Sequence, residues 1–538
     1  MLFYNLGDDI PKKYFFSIVL LLSLLTYVVL FLQRTSDNDR KLFSSREPYR
    51  YPYFVKYSYR WPQRPSASII DGTTAVGNSF NISNSLFTAN EKIRQEIDKK
   101  YCGNKRCRFL LPVAITEQES KAQFHFRQLA FLAGKIDRTI VLPNTYNSHL
   151  GSCLHHPFHF YYEQSWLDRN RKHFNYITME DFKAWLLERQ MKDVVPTAQE
   201  LYIQRSRRSL LLEKVDNCFS NSFDFSGRPS VYYRFPDSHK QSKINVTDVM
   251  MRLLSDETRE HEYLLTDSYS NEIVDRASTP PPVDVINLFY DRRYKILNEK
   301  DADVPLPFSQ HWVDIANNIS AQLFPYIAIH WRMERLEPIP NLLPCAENLV
   351  DSIHALENEQ YTNNQETIPR KLRKPLPNVF LLTDYPHLLN ATGAKPESVS
   401  FQTKQLRNEH HEAIQYLYQH LNITLISADN GRIPYDELPS DSWHILPVNV
   451  SSSSQKDRYP DRSVLGIIDK LVAINAQWFF AGRPGVCAKS SSFTSHISGK
   501  RLKKFKHQQL EESNESNGDV TNKIIVPLKT FDLKKRLS

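Results

Sequence analysis

Short apolar runs alternate with amphipathic stretches over residues 308–500, and this alternation predicts a parallel α/β sheet. The runs are nearly all apolar, as is typical of strands that are buried on both faces. The predicted strands cover 326–331, 378–384, 423–427 and 478–481. The predicted helices cover 309–324, 345–361, 408–421 and 463–476, and a last helix opens at 491–495. Helices between short buried strands indicate a doubly wound sheet.

The first half of the chain has a similar pattern near its start. A strand over 108–115 is followed by a polar loop, by a helix with one apolar face and by a second strand over 139–143. The loop over 116–123 therefore lies at the carboxyl end of a strand. Residues 150–300 are mixed, with a predicted helix from Thr178 to Arg189 and a strand that ends near 289. We expect two facing Rossmann-like domains, over 101–307 and 308–500.

The segments outside these domains have different compositions. After a short tail (1–13), residues 14–33 form a long apolar stretch that suits a transmembrane signal anchor. Residues 34–100 are predicted to be an irregular stem because they contain several prolines. Their mixed aromatic and basic residues could bind single-stranded nucleic acid, but a lumenal stem would meet none. The basic and polar segment 501–538 is predicted to be a flexible tail.

Two signals disagree about the side of the membrane on which the domains lie. More basic residues follow the apolar stretch than precede it, which favours a cytosolic location. Long domains translocate largely regardless of this bias, and six cysteines permit disulfides. Seven Asn-x-Ser/Thr sequons also favour the lumen, at Asn81, Asn245, Asn318, Asn390, Asn422, Asn449 and Asn514. We therefore expect lumenal domains.

Composition limits the kind of site that the chain can build. Only 14 of the 538 residues are glycine, and neither GxxxxGK nor GxGxxG occurs, so Arg, Ser, Thr and helix N-termini would have to hold any phosphate. The net charge of +8 fits anionic substrates or an ordinary solvated surface. Cys102 and Cys107 suit a disulfide better than a zinc site, because no second pair has a standard spacing. A lone Asp301-Ala-Asp303 is a weak metal motif, and we expect no metal.

Charged residues follow the predicted strand 326–331 and give the strongest candidate site. His330, Arg332, Glu334 and Arg335 could be an ion-paired turn or a ligand site at the carboxyl end of a parallel strand. The next strand ends in Asp384. The last helix opens with Ser491, Ser492, Phe493 and Thr494. If these strand ends meet, they predict a site for a nucleotide diphosphate.

The loop between the first strand and the first helix holds two candidate acid/base groups. Glu117 and Glu119 lie above a helix N-terminus, where they could act in catalysis or merely complement the helix dipole. Ser120 and Gln123 are possible further contacts in the same loop and helix start. Glu334 is the rival candidate for the general base.

Four motifs together resemble the GDP-fucose protein O-fucosyltransferase family. The strand that ends in Leu-Thr-Asp384 resembles the family's FxATD strand, and His330-Trp-Arg332 resembles its HxR motif. Residues 476–482 and 487–494 are similar to its ADxFIG and CxSSFT signature. Residues 137–143 resemble its NRTLVLP segment.

The resemblance implies a GT-B fold and a metal-independent, inverting transfer of fucose from GDP-fucose to a protein or glycan hydroxyl. By it, Arg332 would stabilise the departing diphosphate, and His330, Asp384 and residues 491–494 would contact the donor. The anchor would suit a single-pass type II protein of the Golgi or endoplasmic reticulum membrane.

The chain departs from the family pattern in two places. Its first loop reads Glu117-Gln-Glu-Ser-Lys-Ala-Gln123 where the family is rich in Gly and Asn, which leaves the acceptor and the base open. The residues after Arg332 also differ, which leaves the donor sugar open. The alternatives are a glycosyltransferase with another nucleotide sugar, a glycan-directed fucosyltransferase, an inactive glycan-binding protein and a lumenal scaffold.

Overall fold

A computed structural model describes residues 79–204, 212, 215–228, 230–235, 245–254, 282–291, 295–363, 378–396, 398, 401–438, 442–450, 460–514 and 528–533. These residues form two α/β lobes, each built on a mainly parallel sheet. The predicted anchor (14–33) lies outside the described residues. Within the described part of the chain, no helix combines the length and the apolar composition needed to cross a membrane.

The N-terminal lobe contains the first eight strands. Its helices are α1 Ser79–Cys102, α2 Glu119–Lys135, α3 Ser165–Arg169, α4 Met179–Met191, α5 Val246–Leu254 and α6 Lys300–Asp303. Its strands are β1 Phe109–Ile115, β2 Thr139–Val141, β3 Asn144–Tyr146, β4 His149–Gly151, β5 Tyr176–Ile177, β6 Ala198–Gln204, β7 Val231–Arg234 and β8 Val285–Tyr290. The sheet order is β3-β4-β1-β8-β6-β7, with β2 on β1 and β5 on β2. The predicted strand–helix–strand unit at 108–143 is confirmed.

The C-terminal lobe contains the second sheet. Its helices are α7 Gln310–Leu323, α8 Leu342–Asn363, α9 Asn408–His420, α10 Val464–Asn475 and α11 Ser492–Asn514. Its strands are β9 Tyr326–Trp331, β10 Asn378–Thr383, β11 Ile423–Ser427, β12 Trp443–Pro447, β13 Trp478–Gly482 and β14 Lys529–Phe531. All pairings are parallel, in the order β12-β11-β10-β9-β13-β14. The strand order therefore reverses between β9 and β13, which is where such sheets bind ligands.

Strand β9 lies at the centre of this sheet, and its alternating side chains enter two cores. Ile327, Ile329 and Trp331 pack on the face that α8 and α9 cover. Tyr326 and Ala328 pack on the opposite face with α10. Because side chains alternate along a strand, His330 shares the α10 face with Tyr326 and Ala328. The alternation of side chains along β9 thus places His330 on the side of the sheet that α10 covers.

Two boundaries differ from those predicted. Part of the predicted stem is α1, whose sequence contains no proline and which packs on α4. Part of the predicted tail extends α11 to Asn514, and β14 pairs with β13. Arg501 is buried in α11 and donates to the carbonyls of Ala473 and Ala476 at the end of α10. One cation of the basic run is therefore an interior hydrogen-bond donor and not part of a solvated surface.

All six cysteines form disulfides: Cys102–Cys107, Cys153–Cys218 and Cys345–Cys487. The third links α8 to the loop between β13 and α11. Gly482 allows this loop to turn sharply, because a Cβ there would lie 2.8 Å from the Cβ of Ala488. The first part of the loop that precedes α11 is therefore held against α8 and against the end of β13.

The sequon asparagines differ in exposure. Asn245, Asn318 and Asn449 are exposed, whereas Asn390 and Asn422 are partly buried. The side chains of Asn81 and Asn514 lie outside the described residues.

Candidate functional site

His330 joins β9 to the start of α11. Its Nδ1 lies 2.7 Å from the Thr494 hydroxyl, and its ring stacks on Phe493 with centroids 4.8 Å apart. Burial, aided by the charges of Arg332 and Lys470, lowers the pKa of His330 to about 3. The imidazole is therefore neutral. It packs between the end of β9 and the start of α11, two segments that the sequence predicts to lie in the same site.

Arg332 lies where β9 ends, and a buried carboxylate holds it. Its guanidinium donates to Glu334 and, over 3.3 Å, to the carbonyl of Ser490. The ammonium of Lys489 lies 3.0 Å from the same Glu334 oxygen, and the Lys489 backbone N–H donates to the Arg332 carbonyl at 3.0 Å. The side chain of Glu334 is 4 % exposed, against 25 % for Arg332 and 39 % for Lys489. The cations, unlike their carboxylate, are open to solvent.

Asp384 shapes the turn that carries Arg332. One of its oxygens accepts the backbone N–H of Met333 at 2.8 Å, and the other accepts that of Glu334 at 3.1 Å. Burial raises the pKa of Asp384 to about 6, although these two hydrogen bonds act in the opposite direction. Asp384, predicted to contact a donor, is thus occupied with the backbone of the neighbouring strand end.

The loop before α11 lies against the same turn. The Trp331 indole donates to the Cys487 carbonyl at 2.6 Å. The Ser491 hydroxyl accepts the N–H groups of Phe493 and Thr494, at 3.2 and 3.4 Å, and so caps the helix. Ser492 is exposed. The structure therefore brings His330, Arg332, Asp384 and residues 491–494 together.

Glu119, the first residue of α2, is buried and accepts hydrogen bonds from four groups. The donors are Gln123 at 2.7 Å, the Tyr162 hydroxyl at 3.1 Å, the Ser120 hydroxyl at 3.1 Å and the ammonium of Lys470. Burial acts to raise the pKa of Glu119, but the Lys470 ammonium outweighs it and holds that pKa below its ordinary value. Glu119 is thus an ionised partner in a saturated network.

Lys470 connects the two lobes beside the donor-side residues. It extends from α10 of the C-terminal lobe to Glu119 and to the Ser120 hydroxyl, 2.7 Å away, in the N-terminal lobe. Its ammonium also lies 5.0 Å from the centre of the Phe493 ring. A second interlobe contact joins the Tyr161 hydroxyl to Asp461. The Glu119 network therefore lies at the seam between the lobes and next to His330.

Glu117 lies in the loop two residues before Glu119 and has a different environment. Its carboxylate pairs with Lys121 at 3.5 Å, and its side chain is 11 % exposed. Its backbone carbonyl faces His149 Nδ1 at 3.3 Å. Of the two glutamates predicted for acid/base chemistry, Glu117 is the one whose carboxylate is not held by a buried cation.

Lys470 and Lys489 are the residues of this region that the sequence reasoning missed. Lys470 interrupts the apolar face of α10 three residues after Ile467, which is a readable but weak signal. Lys489 lies inside the segment 487–494, in which the serine and threonine residues carry the stronger signal for anion binding.

The two aspartates of the weak metal motif lie beside basic side chains. Asp303 pairs with Lys295 at 2.6 Å, and Asp301 lies 3.5 Å from His173 Nε2. Among the residues that the structure describes, no group of three or more His, Cys, Asp and Glu side chains is arranged to hold a metal ion.

Comparison with known proteins gives structural neighbours only. No family model matches the chain, and no curated protein matches it in sequence. A crystal structure of POFUT1 in complex with GDP-fucose is similar over 81 % of this chain and 100 % of that chain, with 13 % identity and a TM-score of 0.36. A structure of POFUT1 in complex with GDP is similar over 74 % of this chain and 94 % of that chain, with 13 % identity and a TM-score of 0.34. The carboxyl ends of β9 and β10 and the start of α11 enclose a crevice, at which Arg332, Asp384 and residues 491–494 meet.

Proposed function

We propose that this chain is a GT-B glycosyltransferase that binds a nucleotide sugar, GDP-fucose, at the carboxyl edge of its second sheet. The observation that carries the proposal is the position of Arg332. It lies at the strand-order reversal between β9 and β13, is held by a buried glutamate and remains partly exposed. A planar guanidinium in such a place suits the oxygens of a diphosphate.

In the proposed reaction, an acceptor hydroxyl attacks the anomeric carbon of fucose from the face opposite to the diphosphate. The bond from that carbon to the phosphate oxygen breaks as the new glycosidic bond forms, which inverts the configuration. Arg332 and the start of α11 stabilise the charge that develops on the departing diphosphate. Neutral His330 and Thr494 position the donor, and Asp384 keeps the Arg332 turn in shape.

The proton of the acceptor hydroxyl goes to Glu117 in this proposal. Glu119 already accepts from four donors, one of them a buried ammonium, and Glu334 holds two cations. Lys470 lowers the pKa of Glu119 and so its basicity, and the side chains of both glutamates are too buried to give an acceptor the access that a general base requires. Glu119, Ser120 and Gln123 instead organise the acceptor-side loop against Lys470.

Residues 14–33 anchor the protein, and the domains lie in the lumen of the Golgi or endoplasmic reticulum. Three disulfides support an oxidising compartment. The acceptor is a hydroxyl of a protein or a glycan, and the reaction needs no metal.

One observation favours a second candidate, a glycan-binding protein without catalysis. Of the predicted acid/base groups, Glu119 and Glu334 are both neutralised by cations. If Glu117 also fails to act, the crevice would bind a nucleotide sugar without transfer.

The test is nucleotide release from a panel of nucleotide sugars by the purified full-length protein, with and without candidate acceptors. Nucleotide release from GDP-fucose, and from no other nucleotide sugar of the panel, confirms the donor. Release from another nucleotide sugar contradicts GDP-fucose but keeps the enzyme class. Saturable binding of GDP-fucose without release favours the inactive binder.

A further inference from the structure

Lys489 is a residue of the crevice to which the proposed reaction gives no role. It belongs to the loop between β13 and α11, whereas Arg332 belongs to the end of β9. Both side chains contact the same oxygen, Oε1 of Glu334. The ammonium and the guanidinium therefore lie side by side, although they belong to segments more than 150 residues apart.

The charges of this cluster differ in how far solvent reaches them. Glu334 supplies one negative charge, Asp384 on the same turn supplies a second above its pKa of about 6, and Arg332 and Lys489 supply two positive charges. The carboxylate is buried, so that solvent reaches the cations and not their counter-ion. Two cations that are more exposed than the carboxylate that holds them, beside a helix N-terminus, attract an anion.

We propose that Lys489 is a second phosphate-binding residue, which contacts one phosphate of a diphosphate while Arg332 contacts the other. This inference rests on the proposed function, because it needs a diphosphate in the crevice. The guanidinium offers two parallel donors to one phosphate, and the ammonium acts as a compact point charge on the next. Glu334 is the positioning residue that keeps the two cations adjacent before the ligand arrives.

The architecture around Lys489 supports a preset position. Its backbone is tied to Arg332 through the N–H bond to the Arg332 carbonyl. The loop is tied to α8 by the Cys345–Cys487 disulfide and to β9 by the Trp331 indole. A solvated surface lysine would lack these constraints. Because both cations are already in place, a ligand that contacts both loses little side-chain entropy on binding. We therefore expect the site to bind a diphosphate more tightly than a single phosphate.

The experiment compares inorganic pyrophosphate with orthophosphate, measured by calorimetry on the full-length protein. The variants are K489M, K489R and the matched control K503M, whose lysine is exposed further along α11. Loss of one charged contact should weaken pyrophosphate binding by about tenfold in K489M. Orthophosphate, which Arg332 alone can hold, should weaken by less than about threefold. K489R should restore part of the loss, and K503M should match the wild type.

Unchanged pyrophosphate affinity in K489M would overturn the inference and leave the proposed function standing. If K489M lost the same affinity for pyrophosphate and for orthophosphate, the assignment of one phosphate to Lys489 and the other to Arg332 would be overturned. Wild-type protein that binds pyrophosphate but not GDP would contradict the proposed donor while leaving the role of Lys489 intact. Absence of pyrophosphate binding by the wild type would overturn the inference, and a parallel GDP titration decides the donor separately.

Discussion

Two buried glutamates, Glu119 and Glu334, form ion pairs with nearby cations, and the two sets of cations differ in their exposure to solvent. Glu119 and its partner Lys470 have side chains that are 5 % and 3 % exposed. Glu334 is equally buried, but its partners Arg332 and Lys489 are 25 % and 39 % exposed. The carboxylates are alike, and the exposure of the cation makes the difference. The buried Lys470 joins the two lobes, whereas the partly exposed Arg332 and Lys489 can present positive charge to a ligand.

The largest effect should come from removing the sequestered cation. K470M leaves the Glu119 carboxylate buried without a counter-charge, which should destabilise the protein by about 3–5 kcal/mol. The double variant E119Q/K470M should recover most of that loss, because no uncompensated charge remains. Urea denaturation followed by tryptophan fluorescence measures both.

K489M is the matched control for this prediction. Its ammonium is partly solvated, so that its loss should cost about 1 kcal/mol or less. Equal destabilisation by K470M and K489M would remove the distinction between the two pairs.

Asp384 should make the stability of the Arg332 turn depend on pH. Burial raises the pKa of Asp384 to about 6, against about 4 in an unfolded chain. The folded state therefore holds this proton more tightly, and the resulting stabilisation is complete below about pH 4 and is lost as the pH rises to about 6.

The measurement is the difference in Tm between the wild type and D384N across that range. The side chain of D384N does not titrate, so the wild type should lose stability relative to it from about pH 4 to about pH 6 and then remain level. A difference that stays constant over the whole range contradicts the raised pKa of Asp384.

The smallest effect is expected at Thr494. T494A removes a neutral hydrogen bond to His330, so the donor KM should rise by about fivefold with little change in kcat. S495A is the control, since its hydroxyl contacts only the Ser491 carbonyl among the bonds at this helix start. A fall in kcat at unchanged KM would place Thr494 in the chemical step instead.

The sequence predicted the C-terminal lobe well because buried parallel strands are continuous apolar runs and their helices have clear faces. Strands β9, β10 and β11 begin and end within one residue of their predicted limits. The same order placed Arg332, Asp384 and residues 491–494 at one sheet edge.

Long-range contacts were not predictable in this way. Glu119 and Lys470 are 351 residues apart in the chain, and Glu334 and Lys489 are 155 apart. Hydrophobic periodicity assigns a residue to a face, but it contains no information on which distant charge will lie opposite. The sequence therefore predicts Glu119 as an acid/base candidate, whereas the fold pairs it with Lys470.

The central claim is that Arg332 binds the diphosphate of a nucleotide, and a GDP titration of the full-length protein tests it most directly. The wild type should bind one GDP per chain, and R332A should bind about ten- to a hundredfold more weakly. R335A, which changes the exposed arginine three residues later, should stay within about twofold of the wild type. GDP affinity that is the same in R332A as in the wild type, with both proteins folded, would contradict the claim.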